Sequence, residues 1–184
     1  MSDTPGWQDT DLSGVLIRRL QPHADGRGSL TELWRGTWTA GLLEPGVVQA
    51  NLSRSRAGVL RGMHLHLRQT DVWVMMEGSA TVALADLRSR SDTPTRRPPV
   101  LVVEVGPATA LLIPPRVAHG LYAHQDVALL YLVSAEYDGA DELGFRWDDQ
   151  DADIRWPDAD PIISERDRTA PSLTDLLDRL ALHG

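Results

Sequence analysis

Two histidines lie two residues apart in the segment GVLRGMHLHLRQTDVWVMMEG, which covers residues 58–78. Alternate side chains of a β-strand point to the same face, so His64 and His66 would point together on one strand. Asp71 follows His66 by five residues. Imidazole and carboxylate groups bind transition metals, and histidine also transfers protons because its pKa is normally about 6.5. The spacing therefore leaves a metal site, an acid–base site and a strand with two structural histidines as alternatives.

The elements that would position these residues are mostly short strands. Each strand-like run alternates apolar and polar residues or is rich in β-branched residues, and each is bounded by Gly, Pro, Asp or Ser. Eight or nine such runs within about 120 residues favour an all-β barrel or sandwich. The runs are VLIRRL, SLTELW, VVQANLS, DVWVMME, SATVALADL, VLVVEV, ALLIP, HGLYA and VALLYLV.

Helical periodicity is clear only near the C-terminus. After Ser172, leucines recur at positions i, i+3, i+4 and i+7, with Asp175 three residues after the capping serine. The sequence therefore predicts a short C-terminal helix that packs on the outside of the β-body. The leucines are Leu173, Leu176, Leu177 and Leu180.

Length and composition limit the classes of function. A chain of 184 residues is expected to form one domain, residues 1–184, and to bury about 70% of its unfolded surface. The formal net charge of −8 argues against a protein that binds nucleic acid or a membrane surface through its overall field. The chain has no cysteine, and its N-terminus lacks the features of a signal peptide. We therefore expect a soluble cytoplasmic protein.

The histidine segment resembles the first signature of the cupin jelly-roll barrels. The second cupin signature is similar to IPPRVAH, residues 113–119, although Arg116 stands where glycine is usual. This resemblance implies that His64, His66, Asp71 and His119 converge inside a small barrel. Three imidazoles and a carboxylate would suit Fe, Mn, Ni or Zn.

A longer series of motifs resembles the dTDP-4-dehydrorhamnose 3,5-epimerases and related nucleotide-sugar epimerases. The resemblance covers about residues 12–175, and the motifs occur in the order known for that family. It implies a cupin barrel that works without a metal or other cofactor on a dTDP-4-keto-6-deoxyhexose. The motifs are DGRG, VQANLSRS, VLRGMH, DLR, IPPRVAHG, YLVSAEY, ELGFRWDDQDADIRWP and ISERD.

The family resemblance implies a catalytic role for three residues. A proton is removed from the carbon beside the 4-keto group and returned to the opposite face, which requires a base, an acid and donors for the enolate. By resemblance the base is His64, Asp167 is its carboxylate partner and Tyr131 is the acid.

The same resemblance implies a binding role for eleven residues around the sugar and the nucleotide diphosphate, where forked arginine donors suit the phosphates. In this family the site is completed by a neighbouring subunit, so a homodimer with exchanged N-terminal strands is expected. The residues are Arg27, Glu32, Gln49, Asn51, Arg61, His66, Asp71, His119, Tyr137, Glu142 and Arg166, the last in place of the usual lysine.

Two residues depart from the family pattern. His66 stands where glutamine is usual, and Asp71 stands where the family has a lysine that stabilises the enolate or holds the keto oxygen. A carboxylate in place of a cation reverses the local field where negative charge develops. Ordinary 3,5-epimerisation is therefore expected to be slow unless another donor compensates.

These departures leave several functions open. The protein could be a mono-epimerase, or a metal-dependent cupin enzyme that uses His64, His66, Asp71 and His119. It could also be a dTDP-sugar 3,4-ketoisomerase, in which an H-x-H pair transfers protons between adjacent carbons. A sugar-nucleotide binder without catalysis is the last alternative.

Overall fold

The alternation of apolar and polar residues produces an all-β architecture, as the sequence predicts. The computed structural model describes residues 6–88 and 97–182. The strands in these residues are β1 (Gln8–Asp9), β2 (Leu16–Arg19), β3 (Pro22–Asp25), β4 (Gly28–Thr31), β5 (Gln49–Ser55), β6 (Leu60–Leu65), β7 (Asp71–Glu77), β8 (Ala80–Asp86), β9 (Val100–Val105), β10 (Thr109–Ile113), β11 (Val117–Ala123), β12 (Val127–Val133) and β13 (Leu143–Gly144). The helices are a 3-10 turn at Gly36–Trp38, α1 (Glu165–Arg168) and α2 (Leu173–Leu182).

Two large antiparallel sheets carry the fold. One sheet has the strand order β1-β2-β10-β7-β12-β5, and the other has the order β13-β6-β11-β8-β9. A separate hairpin pairs β3 with β4. Because neighbours in the large sheets are distant in sequence, the chain must cross repeatedly between the sheets.

The inner faces of the two sheets enclose the main core. On β7 and β12, Trp73, Met75 and Leu129 point inward, and they meet Leu84 and Leu121 from the other sheet. The intervening residues on the same strands pack on the outer faces, because successive side chains of a strand alternate in direction. This alternation directs the odd-numbered residues of β7 and β12, which include Asp71 and Tyr131, toward the interior.

The predicted C-terminal helix is confirmed as α2. Leu173 and Leu176 are buried on the outer face of the five-stranded sheet, where they join a cluster with Met63, Leu65 and Phe145. The helix therefore covers the back of the strand that carries His64. Neither α-helix of the described residues has the length and apolar composition needed to cross a membrane.

Several short elements carry no periodic signal in the sequence. Strands β1 and β13 have two residues each, and α1 has four. Such elements are too short for an alternation or a helical repeat to develop, so the sequence did not predict them. One of them, α1, carries Asp167.

Glycines allow β6 and β11 to approach closely beside the interior. A Cβ atom on Gly62, which has a φ of +133°, would lie 2.6 Å from the Cα atom of Gly120. A Cβ atom on Gly120 would lie 2.8 Å from the carbonyl oxygen of Arg61. The two main chains therefore touch, and the adjacent register pairs His64 with His119.

Candidate active site

A cavity of about 820 Å³ opens between the two sheets and collects most of the predicted site residues. Strands β5, β7 and β12 form one wall, while β6 and β11 contribute histidines from the other sheet. The predicted residues that line it are Gln49, Asn51, Arg61, His64, His66, Asp71, His119, Tyr131, Tyr137, Glu142 and Arg166.

His64 and Asp167 form a hydrogen-bonded pair at the cavity wall. The Nε2 atom of His64 lies 2.9 Å from Oδ1 of Asp167, although the residues are 103 positions apart in sequence. The His64 side chain is partly exposed, whereas that of Asp167 is buried. With Nε2–H donating to the carboxylate, Nδ1 keeps its lone pair and can accept a proton.

The short helix α1 holds the Asp167 carboxylate in place. Its N-cap, Ser164, accepts a hydrogen bond from the Asp167 backbone N–H at 3.1 Å. The Gly62 backbone N–H points to the second carboxylate oxygen at 3.5 Å. Burial by itself would raise the pKa of Asp167, but the hydrogen bond and charge of His64 and these polar contacts lower it below its usual value. The carboxylate is therefore ionised beside the imidazole.

His119 is a buried neutral imidazole. Its Nδ1–H donates to the Val117 carbonyl oxygen at 3.0 Å, and this bond leaves Nε2 with a lone pair. Trp73 contacts the ring edge to face, with 5.1 Å between ring centroids. Burial lowers the pKa of His119 to about 4, against the opposing effect of the Val117 hydrogen bond. The ring is therefore uncharged near pH 7.

His66 and Asp71 lie beside His119. The ring centroids of His66 and His119 are 5.5 Å apart. Burial lowers the pKa of His66, and the neighbouring His119 lowers it further. Burial also raises the pKa of Asp71 to about 6, although His66 and a hydrogen bond from Gln69 act in the opposite direction. One ligand atom each of His66, Asp71 and His119 lies within 4.8 Å of the others.

The structure does not gather the four residues of the metal alternative into one set. His64 is bonded to Asp167 and lies outside the cluster formed by His66, Asp71 and His119. The reason is the capped helix α1, which brings a carboxylate to His64 from the far end of the chain.

Tyr131 lies on the sheet opposite His64. It is paired in register with Asn51 on one side and Trp73 on the other, and its side chain lines the cavity. Burial raises the pKa of Tyr131, so the phenol stays protonated near neutral pH. Among the described residues its hydroxyl forms no hydrogen bond, which leaves the O–H available to a ligand.

The cavity mouth carries polar side chains that bind one another. Glu142 and Arg166 form an ion pair at 2.7 Å. Gln49 donates to Asn51 at 2.9 Å and accepts from the Tyr137 backbone N–H at 2.9 Å. The Tyr137 ring is largely exposed. A ligand at the mouth would therefore meet both charged groups and an exposed aromatic ring.

Arg61 points along the cavity wall from β6. Its Nε–H donates to the Ser55 hydroxyl at 2.8 Å, and a terminal N–H donates to the Arg54 carbonyl oxygen. These partners are neutral, so the positive charge of Arg61 is not cancelled by a carboxylate.

Arg27 and Glu32 do not reach the cavity of their own chain. Arg27 pairs with Asp25 at 2.7 Å in the turn of the β3–β4 hairpin, and its side chain is 91% exposed. Glu32 pairs with Arg35 just beyond β4. The turn chemistry of DGRG explains this local pairing, because the carboxylate of Asp25 also accepts the Arg27 backbone N–H.

Some residues that line or support the cavity were not predicted. Gln69 donates to both oxygens of Asp71, at 3.2 and 3.1 Å. Asp141 is buried and accepts the backbone N–H groups of Leu67 and Arg68, so it fixes the loop after His66. Only Ser164 had a sequence signal, since Ser-x-x-Asp is a helix-capping pattern.

The family model for dTDP-4-dehydrorhamnose 3,5-epimerase matches residues 9–175 of this chain. The chain belongs to this family. The match includes every predicted site residue, and it confirms the resemblance on which the site was predicted.

Relatives of known name agree with this membership. A dTDP-4-dehydrorhamnose 3,5-epimerase of Streptomyces griseus is 33% identical over 172 residues, which are 90% of this chain and 85% of the relative. The structure of the Mycobacterium tuberculosis epimerase superposes with a TM-score of 0.83 at 28% identity and covers 95% of this chain and 92% of that one. A 3'-monoepimerase of Streptomyces bikiniensis, solved in complex with dTDP-quinovose, gives a TM-score of 0.81 at 28% identity and covers 94% of this chain and 90% of that one.

Family membership confirms two of the predictions. The all-β jelly-roll barrel with a short C-terminal helix matches the fold of these solved epimerases. The chain is also confirmed as a member of an isomerase family, the nucleotide-sugar epimerases.

Proposed function

We propose that this protein epimerises a dTDP-4-keto-6-deoxyhexose at C3, C5 or both. The observation that carries the proposal is the His64–Asp167 pair at 2.9 Å on one wall of the cavity, with the free phenol of Tyr131 on the opposite wall. An epimerase needs a base and an acid on opposite faces of the sugar, and two facing sheets supply that separation.

In the proposed reaction His64 removes the proton beside the 4-keto group. The C–H electrons move into the ring carbon–carbon bond, and the carbonyl electrons move to the oxygen, which forms an enolate. Asp167 keeps the imidazole in the Nε2–H tautomer and stabilises the imidazolium. Tyr131 then donates its proton to the same carbon from the other face, and water returns both groups to their starting protonation states.

Deuterium incorporation tests this reaction. The protein is incubated in deuterated water with a dTDP-4-keto-6-deoxyhexose, and the sugar is followed by NMR. We expect deuterium at C3, C5 or both, with inversion of the labelled carbon. Absence of exchange with every such sugar would contradict the proposal, and movement of the keto group to C3 would indicate a 3,4-ketoisomerase instead.

Two variants with matched controls assign the roles. His64→Asn should abolish exchange, whereas His124→Asn should not, because His124 pairs with Glu104 outside the cavity.

Tyr131→Phe should still exchange the proton but fail to invert the carbon, whereas Tyr122→Phe should do both normally. Equal loss of exchange and inversion in Tyr131→Phe would mean that the phenol positions the sugar.

We further propose a homodimer in which the N-terminal hairpin crosses to a second copy. The proposal is supported by the exposure of the β3–β4 hairpin, in which seven of the eight strand residues are exposed. A two-stranded hairpin is marginally stable by itself in water, so it requires a surface to pack against.

The edge strand β5 is the proposed surface. It is the outermost strand of its sheet, and Gln49 and Asn51 on it line the cavity. A hairpin from a second copy that lies along β5 would therefore bring Arg27 and Glu32 toward that copy's cavity, where they would contact the nucleotide diphosphate.

Mixed dimers test whether the site is shared between copies. Arg27→Ala and His64→Asn variants are each expected to be nearly inactive. When they are unfolded together and refolded at equal concentration, hybrid dimers should hold one complete site and restore about a quarter of the activity. No recovery in a sample that contains hybrid dimers would contradict the exchange.

A cytoplasmic location and a single domain over residues 1–184 are part of the same proposal. The lack of cysteine agrees with a reducing compartment. The strands of the five-stranded sheet contribute to both the inner core and the cluster under α2, which supports one folding unit.

A further inference from the structure

Three side chains deep in the cavity form a cluster that the proposed proton transfer does not use. His66, Asp71 and His119 each offer one ligand atom, and these atoms lie within 4.8 Å of one another. His66 directly follows β6, Asp71 begins β7 and His119 lies in the middle of β11, so they reach the cluster from different directions. We propose that this cluster binds one divalent transition metal ion.

The donor set defines the class of metal. Two imidazoles and one carboxylate suit Zn²⁺, Fe²⁺, Co²⁺, Ni²⁺ and Mn²⁺, and such a set leaves coordination positions for a ligand. Metal–ligand bonds of about 2.1 Å separate ligand atoms by about 3 to 4 Å. Atoms already within 4.8 Å need only small side-chain rotations to reach this spacing.

His119 is oriented as a metal ligand. Its Nδ1–H is bonded to the Val117 carbonyl, and Trp73 contacts its ring, so the ring is fixed and Nε2 keeps the lone pair. Histidines that bind metals commonly donate the other ring N–H to a carbonyl or a carboxylate in this way.

The Asp71 carboxylate is buried away from water and has no paired arginine among the described residues. Its side chain is 3% exposed, and its hydrogen-bond donors are neutral groups of Gln69 and Trp73. Among residues 6–88 and 97–182 no arginine pairs with it, and the sequence contains no lysine. Buried carboxylates are normally paired with a cation or bound to a metal, so a divalent ion would complete this site.

The cations at the cavity are engaged elsewhere. Arg166 pairs with Glu142 and Arg68 pairs with Asp138, each at about the distance of a direct hydrogen bond. Arg61 is held against Ser55 and the Arg54 carbonyl. A metal at His66, Asp71 and His119 would therefore add positive charge directly beside the Asp71 carboxylate.

The consequence for catalysis rests on the proposed epimerisation. Removal of the proton places negative charge on the 4-keto oxygen, and a cation near that oxygen stabilises it. Because His64 and His119 are paired in register, a metal on His119 would lie beside the base. The metal would act as a Lewis acid toward the enolate oxygen.

Direct binding measurements test the site without substrate. Untagged protein is first treated with a chelator, and the chelator is then removed. The metal-free protein is titrated with Co²⁺ while the visible spectrum is recorded. A separate sample is titrated with Zn²⁺ by calorimetry. We expect one equivalent to bind and Zn²⁺ to displace Co²⁺. Each of His66→Gln, Asp71→Asn and His119→Asn should weaken binding by about a hundredfold or more, and Gln69→Ala should weaken it by about tenfold.

Control variants separate this cluster from other sites. His64→Asn should bind the metal normally, because His64 is bonded to Asp167. His124→Asn and Glu104→Gln should also bind normally, since they remove the surface His–Glu pair. The fold of each variant is checked by circular dichroism and thermal unfolding.

No saturable binding to the wild-type protein, or binding that survives all three ligand substitutions, would overturn the metal site. Deuterium exchange into the sugar by metal-free protein is measured separately, and it tests the epimerase proposal. A failure of the metal site is therefore distinguishable from a failure of the epimerase proposal.

Discussion

Two histidines paired in register on adjacent strands have opposite properties because their surroundings differ. His64 is partly exposed and its ring meets the ionised Asp167, whereas His119 is fully buried and its ring meets a backbone carbonyl. Burial disfavours protonation of His119. The His64 ring is instead oriented by Asp167, so that Nδ1 keeps the lone pair that can accept a proton. This contrast supports His64, and not His119, as the proton acceptor.

We expect Asp167→Asn to reduce the rate of deuterium exchange by roughly 10²- to 10⁴-fold, because an amide can hold the wrong imidazole tautomer and cannot stabilise the imidazolium. The KM should change little, since Asp167 lies behind the ring. Asp148→Asn, which removes a carboxylate paired with surface Arg146, is the control and should leave exchange unchanged. A large rise in KM with normal kcat would contradict the orienting role.

The lowered pKa of Asp167 also predicts how stability depends on pH. A group with a folded-state pKa below its ordinary value of 3.8 stabilises the protein above that value, and this stabilisation is lost as the pH falls through the folded pKa. The difference in unfolding free energy between wild type and Asp167→Asn should therefore be constant above about pH 5 and shrink below pH 4. Urea unfolding from pH 7 to pH 3 measures it, and a difference that grows on acidification would contradict the assignment.

Sequence reasoning predicted residue types better than residue environments. The H-x-H spacing predicted that His64 and His66 would point together if both lay on one strand. Both line the cavity, although β6 ends at Leu65 and only His64 lies on the strand. The contact between His64 and Asp167 spans 103 residues and follows from no local pattern. The family resemblance, and not the spacing, pointed to that partner.

At the scale of elements, the single turn of helix α1 determines where the Asp167 carboxylate lies. Asp167 occupies the third position of α1, where its backbone N–H is accepted by Ser164 while its side chain turns back toward β6. The following helix, α2, has the same kind of cap, since Ser172 accepts the Asp175 backbone N–H at 3.1 Å. The two carboxylates differ in their partners, since Asp167 bonds to His64 whereas Asp175 bonds to the Ser172 hydroxyl.

The two caps provide a matched pair of variants. Ser164→Ala and Ser172→Ala should each lower the free energy of unfolding by about 1 kcal/mol, because each leaves a helix N–H without its acceptor. Ser164→Ala should in addition slow deuterium exchange, since the Asp167 carboxylate loses its fixed position. Chemical unfolding and exchange assays measure both effects. Equal exchange rates in the two variants would show that the cap of α1 does not position Asp167.

Each of the nine predicted strand runs overlaps a strand of the structure, whereas β1, β3, β6 and β13 were not among those runs. VALLYLV and DVWVMME coincide with β12 and β7, which are adjacent interior strands of their sheet. The partners of these strands could not be predicted from alternation, because it records which face is buried and not which strand lies alongside. The pairing is set by contacts between residues far apart in sequence.

For the whole molecule, the exposed apolar residues are unevenly distributed. Leu30 on the hairpin is 69% exposed and Leu52 on the edge strand β5 is 56% exposed, and both belong to the surfaces assigned to the proposed dimer. Val102, on the edge strand β9 of the other sheet, is 44% exposed and lies outside these surfaces. Substitution of one of these apolar residues by a charged residue therefore tests the proposed dimer.

We expect wild-type protein to sediment as a dimer and Leu52→Glu to sediment as a monomer, since a charge buried in the interface carries a large desolvation penalty. Val102→Glu should remain dimeric. Analytical ultracentrifugation over a range of concentrations gives both results. A monomeric wild type, or dissociation by both substitutions, would contradict an interface along β5.

The direct contact between Gly62 and Gly120 has a mechanical consequence for the cavity. At this crossing the two main chains are in direct contact, and the Sδ atom of the Met63 side chain lies beside Gly120. A ligand that presses on His119 would therefore act on a strand whose backbone contacts the one that carries His64. Binding deep in the barrel and the position of the reactive imidazole are therefore linked through the backbone contact of Gly62 and Gly120.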